Sequence, residues 1–449
     1  MKNKKISRRD FLKIGGVATA GVVLAGCAPA LTQTPAAIAT GGAPTLIKPI
    51  ELVHWSWLVA SDGEIWQKMI DAFNAANKDV QIRMEIVPDD QISQKVLASV
   101  AAGQAPDFGW NTGGLQAQWA NDSVIVALDE LAKQVGLDLS DFSDTSLKAS
   151  RVPRMSNGLF MIPMDAMCEA MEINTDHAKA AGLDVANPPK TGEELLAWAK
   201  AMTQMKDGKV DRSGIMMTGS GVQPTVTWGM VAEQMGFKRA SDDLKTACIN
   251  PDKGKEAMQW VLDLFDKHQV STRDVTDRYK AFGNGQGSIF WTGPWTINGY
   301  VTQCLPFISA PMANIGGKQI TYYELGGLEV YTQKDPGRYE ATMKAIKWLS
   351  DNSFLWTTEG RGASPRKSIT SMPDYETAGA DWSVRGAFVE SMDFATIVPV
   401  PVLAANDFQI YAGGNFLANE VASVVAGQKT IDQFMDTLTE QWQKDLDAG

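Results

Sequence analysis

From Ile50 onward the apolar positions repeat with two periods in turn. Ile50 to Trp55 is a short apolar run, and Ser61-Asp62-Gly63 after it reads as a turn. Ile65, Met69 and Phe73 then recur at four-residue spacing across Glu64 to Asn77, the stripe of an amphipathic helix. Val80, Ile82, Met84 and Ile86 alternate with Gln81, Arg83 and Glu85 until Pro88, which predicts a second strand. A strand, a crossing helix and a strand in this order should lie parallel. Ile92, Val96 and Val100 form another helical stripe closed by Gly103, and Pro106 to Trp110 reads as a third strand. Further helices are expected over Glu193–Met205, Lys253–Lys267, Glu340–Leu349 and Thr430–Asp445, with strands over Leu159–Pro163, Ser288–Trp291 and Leu328–Tyr331. Alternation of this kind predicts the α/β class with open sheets.

Roughly 400 residues of such pattern exceed what one core supports, so at least two domains are expected. Gly- and Pro-rich interruptions at 161–165, 323–327 and 360–365 are the natural places for the chain to change lobes. They divide it into an N-terminal lobe of residues 49–162 and 324–362 and a C-terminal lobe of residues 163–323 and 363–449.

The N-terminus changes the picture from fold to destination. Lys2, Lys4, Lys5, Arg8, Arg9 and Lys13 precede an uncharged run of 13 residues, Ile14 to Gly26. A spanning helix needs roughly 20 apolar residues, so this run is an export signal and not an anchor. Ser7 to Lys13 resembles the twin-arginine motif, and Leu24-Ala25-Gly26-Cys27 resembles a bacterial lipobox, which implies cleavage before Cys27 and a lipid on its sulfur. Residues 27–48, dense in Ala, Pro, Thr and Gly, have no apolar face and read as a flexible tether.

The chain holds 41 Lys+Arg against 52 Asp+Glu; without residues 1–26 these become 35 and 51, a net charge of −16. So acidic a body repels phosphate backbones, which argues against nucleic acid as a partner. Cys168, Cys248 and Cys304 form no disulfide framework, though one pair is conceivable outside the cytoplasm. His54, His177 and His268, without CxxC or HxxxH spacing, give no zinc pattern, and no cofactor is expected.

Several segments together carry a resemblance. They are Leu52-Val53-His54-Trp55 with its helix, Ala105-Pro106-Asp107, Asn157 to Asp165 followed by Glu172-Ile173-Asn174, and Pro189 to Leu195. Phe282 to Gly285, Gly293-Pro294-Trp295 and Ala426 to Thr430 complete the set. In this order the chain resembles the extracellular sugar-binding proteins of ABC importers, the family typified by maltose-binding protein. Where many relatives have a Tyr-Asn pair, this chain has Ile173-Asn174, so ligand identity does not transfer. The resemblance implies a two-lobed periplasmic-binding fold of type II, each lobe an open, mostly parallel sheet flanked by helices. It further implies hinge closure around a small molecule, no reaction, a monomer, and permease transmembrane subunits of an ABC importer as partners.

A sugar needs flat aromatic platforms for its C–H faces and fixed carboxylates, amides or guanidinium groups for its hydroxyls. The 14 tryptophans supply platforms, and several fall at strand ends, the rim of the crevice in an open α/β sheet. Trp55 and Trp57 follow the first strand, and Trp110 and Asn111 the third, as platforms and an amide partner; core packing is the alternative for the aromatics. Asp165, at the first crossover, is placed to accept hydroxyl protons or to sit exposed in a turn. Trp228, Trp291 and Trp295 are candidates from the second lobe, the last in a Gly-Pro-Trp turn resembling the family's cleft loop. Gly326-Gly327 lets backbone approach a ligand, flexes as a hinge or simply turns, while Arg361 and Tyr411, each beside glycines, are further contacts.

The rival class is a secreted carbohydrate-active enzyme, a glycoside hydrolase using two of Asp165, Glu169 and Glu172. Other chemistries lack their motifs. Met217-Thr218-Gly219-Ser220-Gly221 misses the first glycine of a nucleophile elbow, and Gly283 to Ile289 precedes a strand where a dinucleotide fingerprint must follow one.

Overall fold

A computed structural model describes residues 49–153, 155–359, 361–397, 410–411 and 415–448. The export signal, Cys27 and the tether lie outside the described residues. The main strands are β1 (Ile50–Ser56), β2 (Val80–Ile86), β3 (Phe108–Asn111), β4 (Ile162–Cys168), β5 (Ala170–Asn174), β6 (Gln204–Lys206) and β7 (Lys209–Met216). They continue with β8 (Gly287–Thr292), β9 (Phe307–Ala310), β10 (Thr321–Val330) and β11 (Ala395–Ile397). The longer helices are α1 (Ala60–Ala76), α2 (Asp89–Ala102), α3 (Val222–Met235), α4 (Pro251–Asp266), α5 (Arg338–Asp351) and α6 (Ile431–Ala448).

Two sheets divide these strands. The first runs β11-β10-β3-β1-β2 with β4 also on β10; the second runs β9-β5-β8-β7-β6. In the first, β1 pairs parallel with both β2 and β3, as the strand–helix–strand pattern predicts. The second sheet departs from the mostly parallel expectation, since only β8 and β7 are parallel and the pairs β5–β8, β5–β9 and β6–β7 are antiparallel. The cause is β5, which follows β4 after the single residue Glu169 and so enters the second sheet against its neighbours.

Each sheet has its own core. Leu52, Trp66, Phe73, Phe108, Trp110, Leu328 and Trp356 belong to the first; Met171, Ile173, Trp228, Val261, Phe434 and Trp442 belong to the second. Helix α3 is buried along nearly its whole length, so it is the centre of the second half. Strands β4 and β10 run antiparallel through both halves. Tyr322, near the start of β10, packs in the second core, and Leu328 and Val330 at its end pack in the first.

Three boundaries differ from the sequence pattern. Ser61-Asp62-Gly63 belongs to the first turn of α1, where a Cβ on Gly63 would stand 2.7 Å from the Leu58 carbonyl oxygen. Gly326-Gly327 is no turn but the interior of β10. Side chains there would collide with Asp165 and with the Ile162 carbonyl at 2.3 and 2.5 Å, so the pair of glycines lets β4 and β10 close together. The third change of half comes later than 360–365. Arg366 still binds Asp141 at 2.8 Å and Asp351 at 2.9 Å on the first half, and the chain joins the second half's packing around Val384, Ala387 and Phe388.

Candidate functional site

In the first half, the C-terminal ends of parallel strands lead into helix N-termini, and these ends form the rim of a crevice. β1 leads through Trp57, Leu58 and Val59 into α1, β2 through Val87 and Pro88 into α2, and Gly221 opens α3 on the other side. Trp57, Asp62, Asp89 and Thr112 from one side and Val222, Arg278, Tyr279 and Trp295 from the other line a cleft of about 490 Å³. Met167 of β4 and Glu324 of β10 reach it from the strands shared by the halves, and Arg361 and Tyr411 complete the wall.

The structure separates the sequence candidates sharply. Trp57, Trp295, Arg361 and Tyr411 line the cleft. Trp55, Trp110 and Trp228 do not; they are core residues, the alternative held open for Trp55 and Trp110 but not for Trp228. Trp55 is turned toward β2 and α2, donating Nε1–H to Glu85 at 2.9 Å under the Lys95 ammonium. Trp110 stands edge-on between Trp66 and Trp356, both 5.0 Å away, because its four-residue strand is covered on both faces. Trp228 lies inside α3 and donates to the Gly254 carbonyl at 2.9 Å. Trp291 stacks on Trp260 and is buried, but it lines a small recess off the cleft. Asn111 is spent on Glu329, to which Nδ2 donates at 2.8 Å, and Gly327 packs between Asn111 and Pro163 inside the sheet.

Asp165 is neither an exposed turn residue nor a free acceptor. It is fully buried beneath the cleft, accepting from the Gly326 amide at 2.8 Å and from Trp356 Nε1 at 3.2 Å. Arg361, only 2% exposed, lies with its Nε 3.4 Å from Asp165 and donates from Nη1 to Asp62 at 2.9 Å. It thereby ties the start of α1 to the crossing strands.

Sequence reasoning missed Asp62, Arg278, Tyr279 and Glu324. Tyr279 organises the second wall, since its hydroxyl accepts from Trp295 Nε1 at 3.1 Å and from Arg278 at 2.7 Å. Gly293 leaves room for this arrangement, because a Cβ there would lie 2.0 Å from the Trp295 ring. For Glu324 a signal existed, an acid that with Glu329 interrupts an otherwise largely apolar strand; Arg278-Tyr279 sits in a charged stretch indistinguishable from a solvated helix start.

Burial raises the pKa of several carboxyl groups in the cleft, beneath it and within the sheets. Burial raises Asp165 to about 6, with Arg361 opposing, and Glu169 to about 7, with Arg278 and the Tyr411 hydroxyl opposing. Burial, reinforced by the nearby Glu169, raises Glu324 to about 8, although its carboxyl opens on the cleft. Glu172 and Glu329, both fully buried, also reach about 8 through burial. Unfolded carboxyls titrate near 4, so the fold carries extra protons between about pH 4.5 and 8. That contribution is complete below the unfolded values and is lost as pH rises through the folded ones. The empty protein should therefore melt several degrees higher at about pH 5.5 than at about pH 8.5, and Glu329→Gln should narrow the gap. Scanning calorimetry across that range checks both; a flat profile would contradict the burial of these groups.

Comparison with known proteins gives three findings. Residues 68–379 match the family model described as bacterial extracellular solute-binding protein, and residues 5–25 match the twin-arginine translocation pathway signal sequence. A maltotriose-binding protein of Pyrococcus abyssi is 24% identical over 308 residues, 67% of this chain and 63% of the archaeal protein's length. A putative binding protein of Brucella abortus is 22% identical over 349 residues, 76% of this chain and 82% of that one. Among solved structures, an ABC substrate-binding protein from Listeria monocytogenes in complex with cycloalternan has a TM-score of 0.75 at 20% identity, covering 88% of this chain and 98% of that one. A maltose/maltodextrin-binding domain from Bdellovibrio bacteriovorus bound to maltotriose has a TM-score of 0.74 at 17% identity, covering 89% of this chain and all of that one.

Proposed function

Because the chain belongs to the bacterial extracellular solute-binding proteins, we propose that it captures a sugar or short oligosaccharide in the cleft and delivers it to the transmembrane subunits of an ABC importer. One observation carries the reading. A cleft walled by Trp57 on one half and by Trp295 and Tyr279 on the other is floored by the two strands that run through both halves. Aromatic faces on opposing walls suit the two C–H faces of a pyranose, and Asp62, Glu324, Arg361 and Arg278 surround its rim with donors and acceptors. Bending of β4 and β10 brings the halves together as a hinge, so the lobes are the parts on either side of those strands. The sugars named for the Pyrococcus, Listeria and Bdellovibrio proteins support a glucan-like ligand. In this reading the protein works as a monomer on the outer face of the cytoplasmic membrane, held by a lipid on Cys27; the export signal supports the export and Leu24-Ala25-Gly26-Cys27 the anchor.

A hydrolase needs a free acid and a free base facing across a bond. Here Asp165 is engaged by Gly326, Trp356 and Arg361, and Glu172 accepts from Thr296 deep in the second sheet. The protein lacking residues 1–26 is expected to bind at least one member of a panel of maltodextrins, mannodextrins and monosaccharides. Ligand at about a hundredfold its Kd stabilises the fold by about 2.7 kcal/mol, visible as a raised melting temperature with altered tryptophan fluorescence. Small-angle scattering should show compaction at saturation. A panel that leaves all three signals unchanged, or that is cleaved, would refute capture.

A further inference from the structure

Beside Trp295 a recess opens off the cleft, sharing Val222, Arg278 and Trp295 with it and extending inward to Glu169, Gln223, Trp291 and Thr292. Its volume of about 10 Å³ matches a single water-sized group. Three of its walls carry a buried polar atom without a hydrogen-bond partner: Gln223 Oε1, Trp291 Nε1 and Thr292 Oγ1. These side chains are only 4%, 4% and 2% exposed. Gln223 is held by its Nε2, which donates to the Trp291 carbonyl at 3.2 Å, and its Oε1 is the atom left over. Buried polar groups are otherwise almost always paired, so three orphans around one recess mark a place for something that both donates and accepts.

The donor set defines that group. An indole N–H only donates, an amide oxygen only accepts, and a threonine hydroxyl does either. A carboxylate or phosphate would face the Gln223 oxygen and Glu169 with no hydrogen to give. An ammonium would face the Trp291 N–H and the Arg278 guanidinium with no lone pair. A neutral hydroxyl, which both donates and accepts, is the group whose chemistry suits all three kinds of orphan. A hydroxyl attached directly to a pyranose stays at the ring's rim. One carried on a methylene reaches a further C–C bond, about 1.5 Å, while the ring stays on the indole.

We propose that this recess takes the primary-alcohol arm of the sugar ring stacked on Trp295, so that the cleft selects hexosyl over pentosyl units. This rests on the sugar-capture reading and adds to it the class of sugar. The test is calorimetric titration of the protein without its signal with D-glucose, maltotriose and mannotriose against D-xylose, xylotriose and 6-deoxy-D-glucose. Whichever hexose or hexosyl ligand binds is expected to do so at least about tenfold more tightly than its counterpart lacking the arm. Thr292→Val, which preserves shape, should shrink that ratio to about twofold without lowering the melting temperature of the empty protein; Gln223→Leu should shrink it likewise. Equal binding of both classes, or tighter binding of the pentosyl class, overturns the inference and leaves sugar capture standing. An unchanged ratio in Thr292→Val with a lowered melting temperature also overturns it, because the recess then houses a structural water. No binding by any carbohydrate brings down both.

Discussion

Replacing Arg361 with Met is expected to lower the free energy of unfolding by about 3–5 kcal/mol at pH 8, because it leaves buried carboxylates without their cation. Met retains much of the side chain's apolar volume but not the guanidinium, whose carbon lies 5.1 Å from the centre of the Trp356 ring. What is lost is the charge between Asp62 and Asp165, at 2.9 and 3.4 Å. Burial already raises Asp165 to about 6, and without the guanidinium it would rise further. The loss should therefore be smaller near pH 5, where that carboxyl is neutral in either protein, and the double change Arg361→Met with Asp165→Asn should recover part of it at pH 8. Urea denaturation at both pH values reads the difference. A loss of equal size at pH 5 and pH 8 would assign Arg361 to packing alone.

The same triad shows where the sequence was legible. A period of two located β2 and a period near four located α1 and α2, because those elements bury one face more than the other, the condition under which periodicity survives; β1 showed only as an apolar run, its C-terminal half being buried on both faces. The rim followed from strand ends, which is how Trp57 was found. Trp110 was misjudged for the converse reason: β3 is buried on both faces, and a strand end covered by Trp66, Trp356 and β10 is no longer a rim. Asp165 stood out at the first crossover and Arg361 between two glycines, yet their partnership spans 196 positions and leaves no local mark. Arg278 and Tyr279 illustrate the same limit, since only the fold brings Tyr279 to Trp295. The antiparallel second sheet was equally hidden, because periodicity records which faces are buried and not which way a neighbouring strand runs.

Two tryptophan substitutions separate stability from binding most cleanly. Trp110→Ala removes a fully buried indole from the contact with Trp66 and Trp356 and is expected to cost about 3–5 kcal/mol of stability. The affinity of protein that remains folded should change little, since Trp110 does not line the cleft. Trp295→Ala should do the reverse. Its ring is half-buried, lies on Gly293 and is steadied by Tyr279, so the fold loses under about 1 kcal/mol, while a stacked sugar loses about 1–3 kcal/mol of binding, roughly fivefold to over a hundredfold in Kd. Chemical denaturation and calorimetric titration of both variants read the two axes independently. If Trp295→Ala binds sugar as tightly as the parent protein while unfolding at lower urea, its ring is a brace for the Gly-Pro-Trp turn. The platform would then have to be sought on the opposite wall, at Trp57.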